Sequence, residues 1–318
     1  MPLILVILTT TAFAGPFEGP LVIKNGFPLY AAIGSPSLIS AEPENSFDIN
    51  FSYSSTCAVK SSSDWYYGID LETAVTDIQF KRLAGKGTEL GVDIPVIRYG
   101  PGFADGAIES YHDLIGMHNA YGRNDRPRNQ FLLQVTHDGE VVVQGDPGKT
   151  ALGDMMVEVK QALYDNRETT IVSVHAFVNL PTGDADAGLG SGKANGGIGV
   201  LLNEKLRSDI MLYVNAGIGL IDKLEAMQEI PLKNYYYGGV GLEWLYSKSL
   251  SLDVQIFAQS SPFPKSGVDF IDEPSMLGSF GGRYKIGEQS SLGIAVTEDP
   301  DTAGAPDIML GTDYLYTF

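Results

Sequence analysis

The feature that most limits how this chain can fold is a two-residue alternation that recurs through its length. Within 249–259, Leu250, Leu252, Val254, Ile256 and Ala258 share one parity, while Ser251, Asp253, Gln255 and Gln259 share the other, with Phe257 as an exception. Successive side chains of an extended strand point to opposite faces, so the segment carries one greasy and one polar face. The pattern returns at Ile210, Leu212, Val214, Ala216, Ile218 and Leu220 against Tyr213, Asn215, Gly217 and Gly219. It returns again at Tyr236, Val240, Leu242, Trp244 and Tyr246, and at Val172, Val174, Ala176, Val178 and Leu180 against Ser173, His175 and Asn179. Further candidate strands lie at 46–60, 63–82, 88–99, 129–137, 150–164, 194–203, 275–286 and 290–298.

A soluble sandwich also alternates, so the choice between sandwich and membrane barrel rests on what accompanies the strands. Residues 1–14, MPLILVILTTTAFA, form an apolar run ending in a small-x-small triplet before Gly15, which reads as a secretory signal peptide. The alternative is an N-terminal membrane anchor, although fourteen residues fall short of a hydrocarbon core. Beyond this run no stretch of eighteen apolar residues occurs, so ordinary membrane helices are excluded. A membrane protein of this kind must then be a closed β-barrel, because lipid cannot satisfy a free sheet edge. The last segment, APDIMLGTDYLYTF, puts Ile308, Leu310, Thr312, Tyr314, Tyr316 and Phe318 on one parity. A terminal Phe with aromatics two and four places before it resembles the assembly signal of outer-membrane barrels, with Tyr314, Tyr316 and Phe318 in the interfacial girdle.

The segment lengths support this. Placing Phe318 at the periplasmic end makes 298–305, 261–274, 222–233 and 181–193 long outer loops, and 285–289, 247–249, 203–208 and 165–168 short inner turns. Thirteen candidate strands start from Phe47, whereas single-chain bacterial barrels have even numbers. Either 21–33 adds a fourteenth, or one early segment belongs to a loop or plug and leaves twelve; we take twelve. The expected organisation is a signal peptide at 1–14, a lumen or rim segment or extra strand at 15–45, and a transmembrane antiparallel barrel at 46–318 with a short helical plug or rim insertion near 100–128.

That insertion breaks the alternation. Ala104 to Ile115 suits about three helical turns, begun by Asp105 and ended by Gly116. Glu109, His112 and Asp113 fall on one side of such a helix, and Arg123, Arg126 and Arg128 follow. The strand count places it at the periplasmic end. Because it cannot face lipid, it is expected at a rim or in the lumen, its arginines pairing with acidic wall residues such as Asp70 and Glu72. Glu89, Asp93 and Glu158 are further inward candidates. His112 reads first as a hydrogen-bonded structural residue, and second as a base, a pH latch or a partner of a divalent ion.

Composition narrows the chemistry. A net charge of −18 argues against nucleic-acid binding, and one cysteine with four histidines argues against a transition-metal site. No cofactor is expected. Ser173 and His175 share a parity, which raises a lipid-modifying enzyme as a minor reading, although no acid is identifiable as an orienting partner. The glycines of 180–193 lack phosphate-loop spacing.

The stretch 102–131, GFADGAIESYHDLIGMHNAYGRNDRPRNQF, resembles a family of uncharacterised Gram-negative outer-membrane barrels, as do GPLVIKNGFPL near the N-terminus and ELGVDIPVI. The matching positions are Gly102, Phe103, Asp105, Gly106, Ile108, Glu109, Tyr111, His112 and Asp113, then Arg126, Pro127, Arg128 and Asn129, with Ala104 for the family's Leu and Tyr111 for its Phe. VNLPTGD is similar to a wider group of barrels implicated in uptake of apolar compounds. The resemblance implies export through the periplasm to the cell outer membrane, with outer-membrane lipid and the barrel assembly machinery as partners, and carries no catalytic residues. The expected function is a gated or partly plugged channel for small solutes, an acidic lumen favouring cations or neutral molecules. The alternative is a non-conducting structural or interaction barrel.

Overall fold

A computed structural model describes residues 17–106, 110, 128–300 and 303–318. Twelve strands close into an antiparallel ring. In ring order they are β1 (Ser46–Ser61), β2 (Trp65–Gly85), β3 (Thr88–Gly100), β7 (Met155–Asn166), β8 (Thr170–Leu180), β9 (Asn195–Arg207), β10 (Ile210–Leu220), β13 (Tyr235–Leu245), β14 (Leu250–Gln259), β15 (Ser275–Lys285), β16 (Ser290–Glu298) and β17 (Ile308–Thr317). β17 pairs with β1 from Ser46↔Thr317 to Ser55↔Ile308, so the ring has no free edge. The remaining strands lie outside the ring order. β4 (Leu132–His137) and β5 (Glu140–Gln144) form a hairpin on the first part of β2, β6 (Thr150–Leu152) pairs with β3, and β11 (Lys223–Glu225) with β12 (Glu229–Pro231) makes a separate small hairpin.

Thus 129–137, counted as a thirteenth candidate, contributes a loop hairpin rather than a wall strand, which makes the wall twelve. Removing it also reverses the direction of every strand before it. β3 therefore delivers Gly100 to the mouth opposite Phe318, and the insertion that follows leaves from the long-loop mouth, not the short-turn end expected from the count.

The outward parity is apolar around the ring. Ile49, Phe51, Phe80, Val157, Val178, Val200, Val240, Val254, Ile256, Phe280, Ile294 and Leu310 are all exposed, an arrangement that water disfavours and hydrocarbon accepts. Phe318 stacks on Tyr316 and on Phe80 at the seam, with centroids 6.1 Å apart in both pairs. Tyr314 and Tyr316 turn their hydroxyls to Ser290 and Gln289 at the short-turn end.

One strand junction shows how the wall accommodates proline. Pro95 of β3 has no N–H to give, and there the neighbouring strand is interrupted between β6 and β7. Gly153 bridges the gap by donating to the Pro95 carbonyl at 2.9 Å. The released Asp154 turns toward the loop 181–194 and accepts from Gly183 N, Ser191 N and Ser191 Oγ. Burial raises the pKa of this carboxyl while those hydrogen bonds oppose the rise.

Candidate functional site

The inward faces of the strands supply a wall of polar side chains. Asp48, Asn50, Asp77, Gln79, Glu89, Asp93, Glu158, Lys160, Ser173, His175, Asn179, Glu243, Asp253, Arg283 and Asp313 are all buried. Such groups stay buried only if partners meet them. Some partners come from across the wall: Lys160 pairs with Glu89 at 3.0 Å, His175 with Glu158 at 2.7 Å and Arg283 with Asp313 at 3.1 Å. Others come from residues 17–45, which run inside the ring.

This segment goes up the lumen and comes back. At the short-turn mouth, Glu18 and Gly19 donate their N–H groups to Glu243, while Arg283 donates to their carbonyls at 2.9 and 3.0 Å. Farther in, Gln255 donates to Leu21 O and Asn50 to Val22 O. Lys24 lies between two wall carboxylates, Asp77 at 2.7 Å and Asp93, with Gln79 donating to Asp93 at 3.2 Å. Asn25 reaches Ser275 and the carbonyl of Gly304 near the loop mouth. A short helix, Pro28–Ala32, then reverses the chain, and Gly34 adopts φ +68, a conformation few other residues tolerate. Asn179 donates to the carbonyls of Ile33 and Gly34 at 3.2 and 3.1 Å. The return pass is held by Asn203 to Ala41 N, Ser173 to Ala41 O, Lys160 to Glu42 O and Glu89 to Glu44 N. It leads straight into β1.

Toward the loop mouth the lining changes from charge to rings. Phe27, Leu29, Tyr30, Ile33 and Leu38 pack with wall residues Tyr67, Ile69, Leu71, Val75, Ile97, Tyr99, Phe177, Tyr235, Tyr237 and Phe257. Phe263 and Phe270, from the loop between β14 and β15, complete the cluster, with Tyr30–Phe263 centroids at 5.5 Å and Phe27–Phe270 at 6.1 Å. Each ring or large aliphatic side chain buried this way stabilises the closed arrangement by about 1.5–3 kcal/mol.

One correction concerns the sequence candidates. Asp70 and Glu72 do not line the lumen. Ile69, Leu71 and Val75 are in the internal cluster, so the alternate parity that holds Asp70 and Glu72 faces outward. Glu72 is nevertheless buried, because residues 103–104 fold over it on the outside of the wall: Phe103 N and Ala104 N donate to its carboxylate at 3.0 and 2.6 Å, and Tyr53 donates as well. Phe103 lies against Tyr53 at 5.6 Å. The described start of the insertion therefore caps the outer face near the rim, and the chain that fills the lumen is 17–45. Asp105 is buried and accepts from Asn129 N at 2.6 Å, which ties the two ends of the insertion together beside Arg128. Glu109, His112, Asp113, Arg123 and Arg126 lie outside the described residues, as does the signal segment 1–14.

Glu89, Asp93 and Glu158 do face inward, each buried. Sequence reasoning missed Lys24, Tyr30, Glu243 and Arg283; the signal for Lys24 was that no other Lys or Arg occurs between 17 and 45. The acid beside His175 is Glu158, reached across β7–β8, but Ser173 is engaged with the Ala41 carbonyl at 2.5 Å, so serine and histidine have separate partners. Among the described residues no group of three or more His, Cys, Asp or Glu is disposed to hold a metal ion.

The fold is similar to that of solved outer-membrane proteins. An outer membrane channel from Pseudomonas putida F1 (COG4313) superposes with a TM-score of 0.57 at 11% identity, over 87% of this chain and 96% of that one. Looser likenesses are to the NanC porin, with a TM-score of 0.49 at 8% identity over 86% and 98% of the two chains, and to the P. putida toluene transporter TodX, at 0.44 and 10% over 93% and 99%. No curated protein matches the sequence. At the level of sequence, residues 1–318 match the DUF3187 family, proteins of unknown function, and the chain is a member of that family.

Proposed function

We propose that this protein is a small-solute channel of the Gram-negative outer membrane, gated by its own residues 17–45. The observation that carries the reading is an enclosed lumen, polar in its short-turn half, occupied by a double pass of backbone that is anchored by side chains but paired with no wall strand. A chain held by side-chain contacts can leave without unzipping a sheet, whereas a wall strand cannot. The exposed apolar belt suits outer-membrane lipid as the surrounding medium, and the Tyr314, Tyr316 and Phe318 series suits delivery by the barrel assembly machinery. The likeness of the fold to an outer membrane channel supports the same reading.

A disulfide between segment and wall tests it. A Cβ built on Gly26 lies 3.2 Å from the Ser54 Cβ, near the roughly 3.8 Å spacing of a disulfide. In a Gly26→Cys/Ser54→Cys protein that also carries Cys57→Ala, oxidation should reduce planar-bilayer conductance at least tenfold, and dithiothreitol should restore it. Conductance that ignores the cross-link would discard the gate. The ring-packed loop mouth favours a second reading, a permanently closed structural barrel, which predicts conductance equal to bare lipid in both redox states.

A further inference from the structure

We propose that the Lys24 ammonium is a tethered stand-in for the solute, and that the molecules passing this lumen are primary alkylammonium ions that take its place between Asp77 and Asp93 when the segment withdraws. The inference rests on the gated-channel reading and gives it a substrate class.

The ion pairs of the lumen differ in where their cations come from. Glu89, Glu158 and Asp313 meet Lys160, His175 and Arg283, all wall residues, so those pairs persist wherever residues 17–45 are. Asp77 and Asp93 meet Lys24, which the segment brings and can remove. Their positions are fixed by the β2–β3 register, Asp77 opposite Pro95 and Asp93 opposite Gln79. Withdrawal leaves two carboxylates diagonal to one another on adjacent strands, without the cation that joined them, a configuration that favours capture of another cation. A second observation points to the same place: Asp93 Oδ1, on a residue only 1% exposed, has no hydrogen-bond partner while Lys24 is seated. The site thus has acceptor capacity that one lysine does not use.

The surroundings select the kind of cation. A hard divalent ion takes six to eight oxygen ligands, and among the described residues no third His, Cys, Asp or Glu joins Asp77 and Asp93 in a metal-holding group. An ammonium instead donates hydrogen bonds to separate carboxylates, as Lys24 does. The wall residues of the cavity beside Lys24 include Val75, Pro95, Ile97 and Met156 together with Asn179, a mixed surface that stays when the segment leaves and suits a short alkyl chain. A second cavity shares Lys24, Ser35 and Met156 with the first and continues to Glu158, His175, Asn215 and Tyr237. Lys24 therefore borders both spaces.

The experiment is block of Lys24→Ala in planar bilayers by added n-propylammonium or tetramethylammonium, the latter having no N–H donor. The variant should conduct more than wild type, and n-propylammonium should close it at a concentration at least tenfold lower than tetramethylammonium requires. Adding Asp93→Asn should abolish that difference. Equal potency of the two cations overturns the proposal. If Lys24→Ala does not assemble, the wild-type reversal potential in a tenfold gradient of n-propylammonium propionate decides: a cation-to-anion permeability ratio of at least ten supports the proposal, and a ratio near one overturns it. Conductance in potassium chloride separates the two levels. Its absence sinks the channel itself, whereas its presence with no preference for n-propylammonium sinks only the substrate class.

Discussion

The two halves of the lumen are closed by different physics. Near the short-turn mouth the inner segment is held by carboxylates, amides and guanidinium, with Glu243, Arg283, Asp77 and Asp93 gripping Glu18 to Lys24. Near the loop mouth it is held by Phe27, Tyr30 and Ile33 among the rings of wall and loops. Charge contacts can be traded for water and ions, so they permit release; packed rings resist until the whole cluster opens. The contrast identifies the loop half as the stiffer closure and the short-turn half as the chemically addressable one.

The sharpest way to break this comparison is Arg283→Met, which strands Asp313 and releases the carbonyls of Glu18 and Gly19. Leaving a buried charge without its partner costs about 3–5 kcal/mol, read as a lower detergent unfolding temperature. The same variant should raise bilayer conductance, and an unchanged trace would mean the charged half is not the release point. Tyr30→Ala should cost about 3 kcal/mol through the cavity it leaves, with a loss that is the same at low and high salt. A cost that shrinks in high salt would show that the loop half is held by charge after all. Asn179→Ala removes two hydrogen bonds to the Ile33–Gly34 reversal and should cost about 1–2 kcal/mol, with brief openings in single-channel records. The smallest effect concerns the loops. The hydrogen bond from Lys149 holds the Asp184 carboxyl below its ordinary pKa, so its contribution is present above the ordinary value and lost as pH falls through the lowered one. For so exposed a pair, Lys149→Ala should change stability by about 0.5 kcal/mol or less at pH 7, and by less still as pH falls through the lowered value.

The outer surface was legible because lipid imposes one rule on every strand. Ile49, Ile78, Leu252 and Val254 each stand between polar neighbours and are exposed on the ring. That rule fails where a strand rises past the belt. On β2 the lower residues Ile78 and Phe80 face out and Asp77 and Gln79 face in, as the rule demands. The same phase continued upward puts Thr76, Ala74, Glu72 and Asp70 outside and Val75, Leu71 and Ile69 inside, where they meet a water-excluded core. Assigning Asp70 and Glu72 by polarity alone inverted them; following the phase from Phe80 would have placed both. The inner segment had no period to read. Its contacts are single side chains reaching isolated carbonyls, which leave no repeat in 17–45, so the choice among lumen, rim and strand needed coordinates. The candidate ammonium site was half visible, since Asp93 was an inward candidate; Asp77 joins it through the β2–β3 register, and Lys24 only when the inner segment lies in the lumen.

Glu18 sits beside Lys285 at the short-turn mouth, and Asn45, where the return pass ends, accepts from Phe318 N and Leu83 N at that same mouth. Within residues 17–45 the segment is thus a bight rather than a thread, its two legs sharing one opening. On the proposed gating, a finished barrel takes the segment in or lets it out through that one opening, which makes ring assembly and insertion of the segment separate events in time.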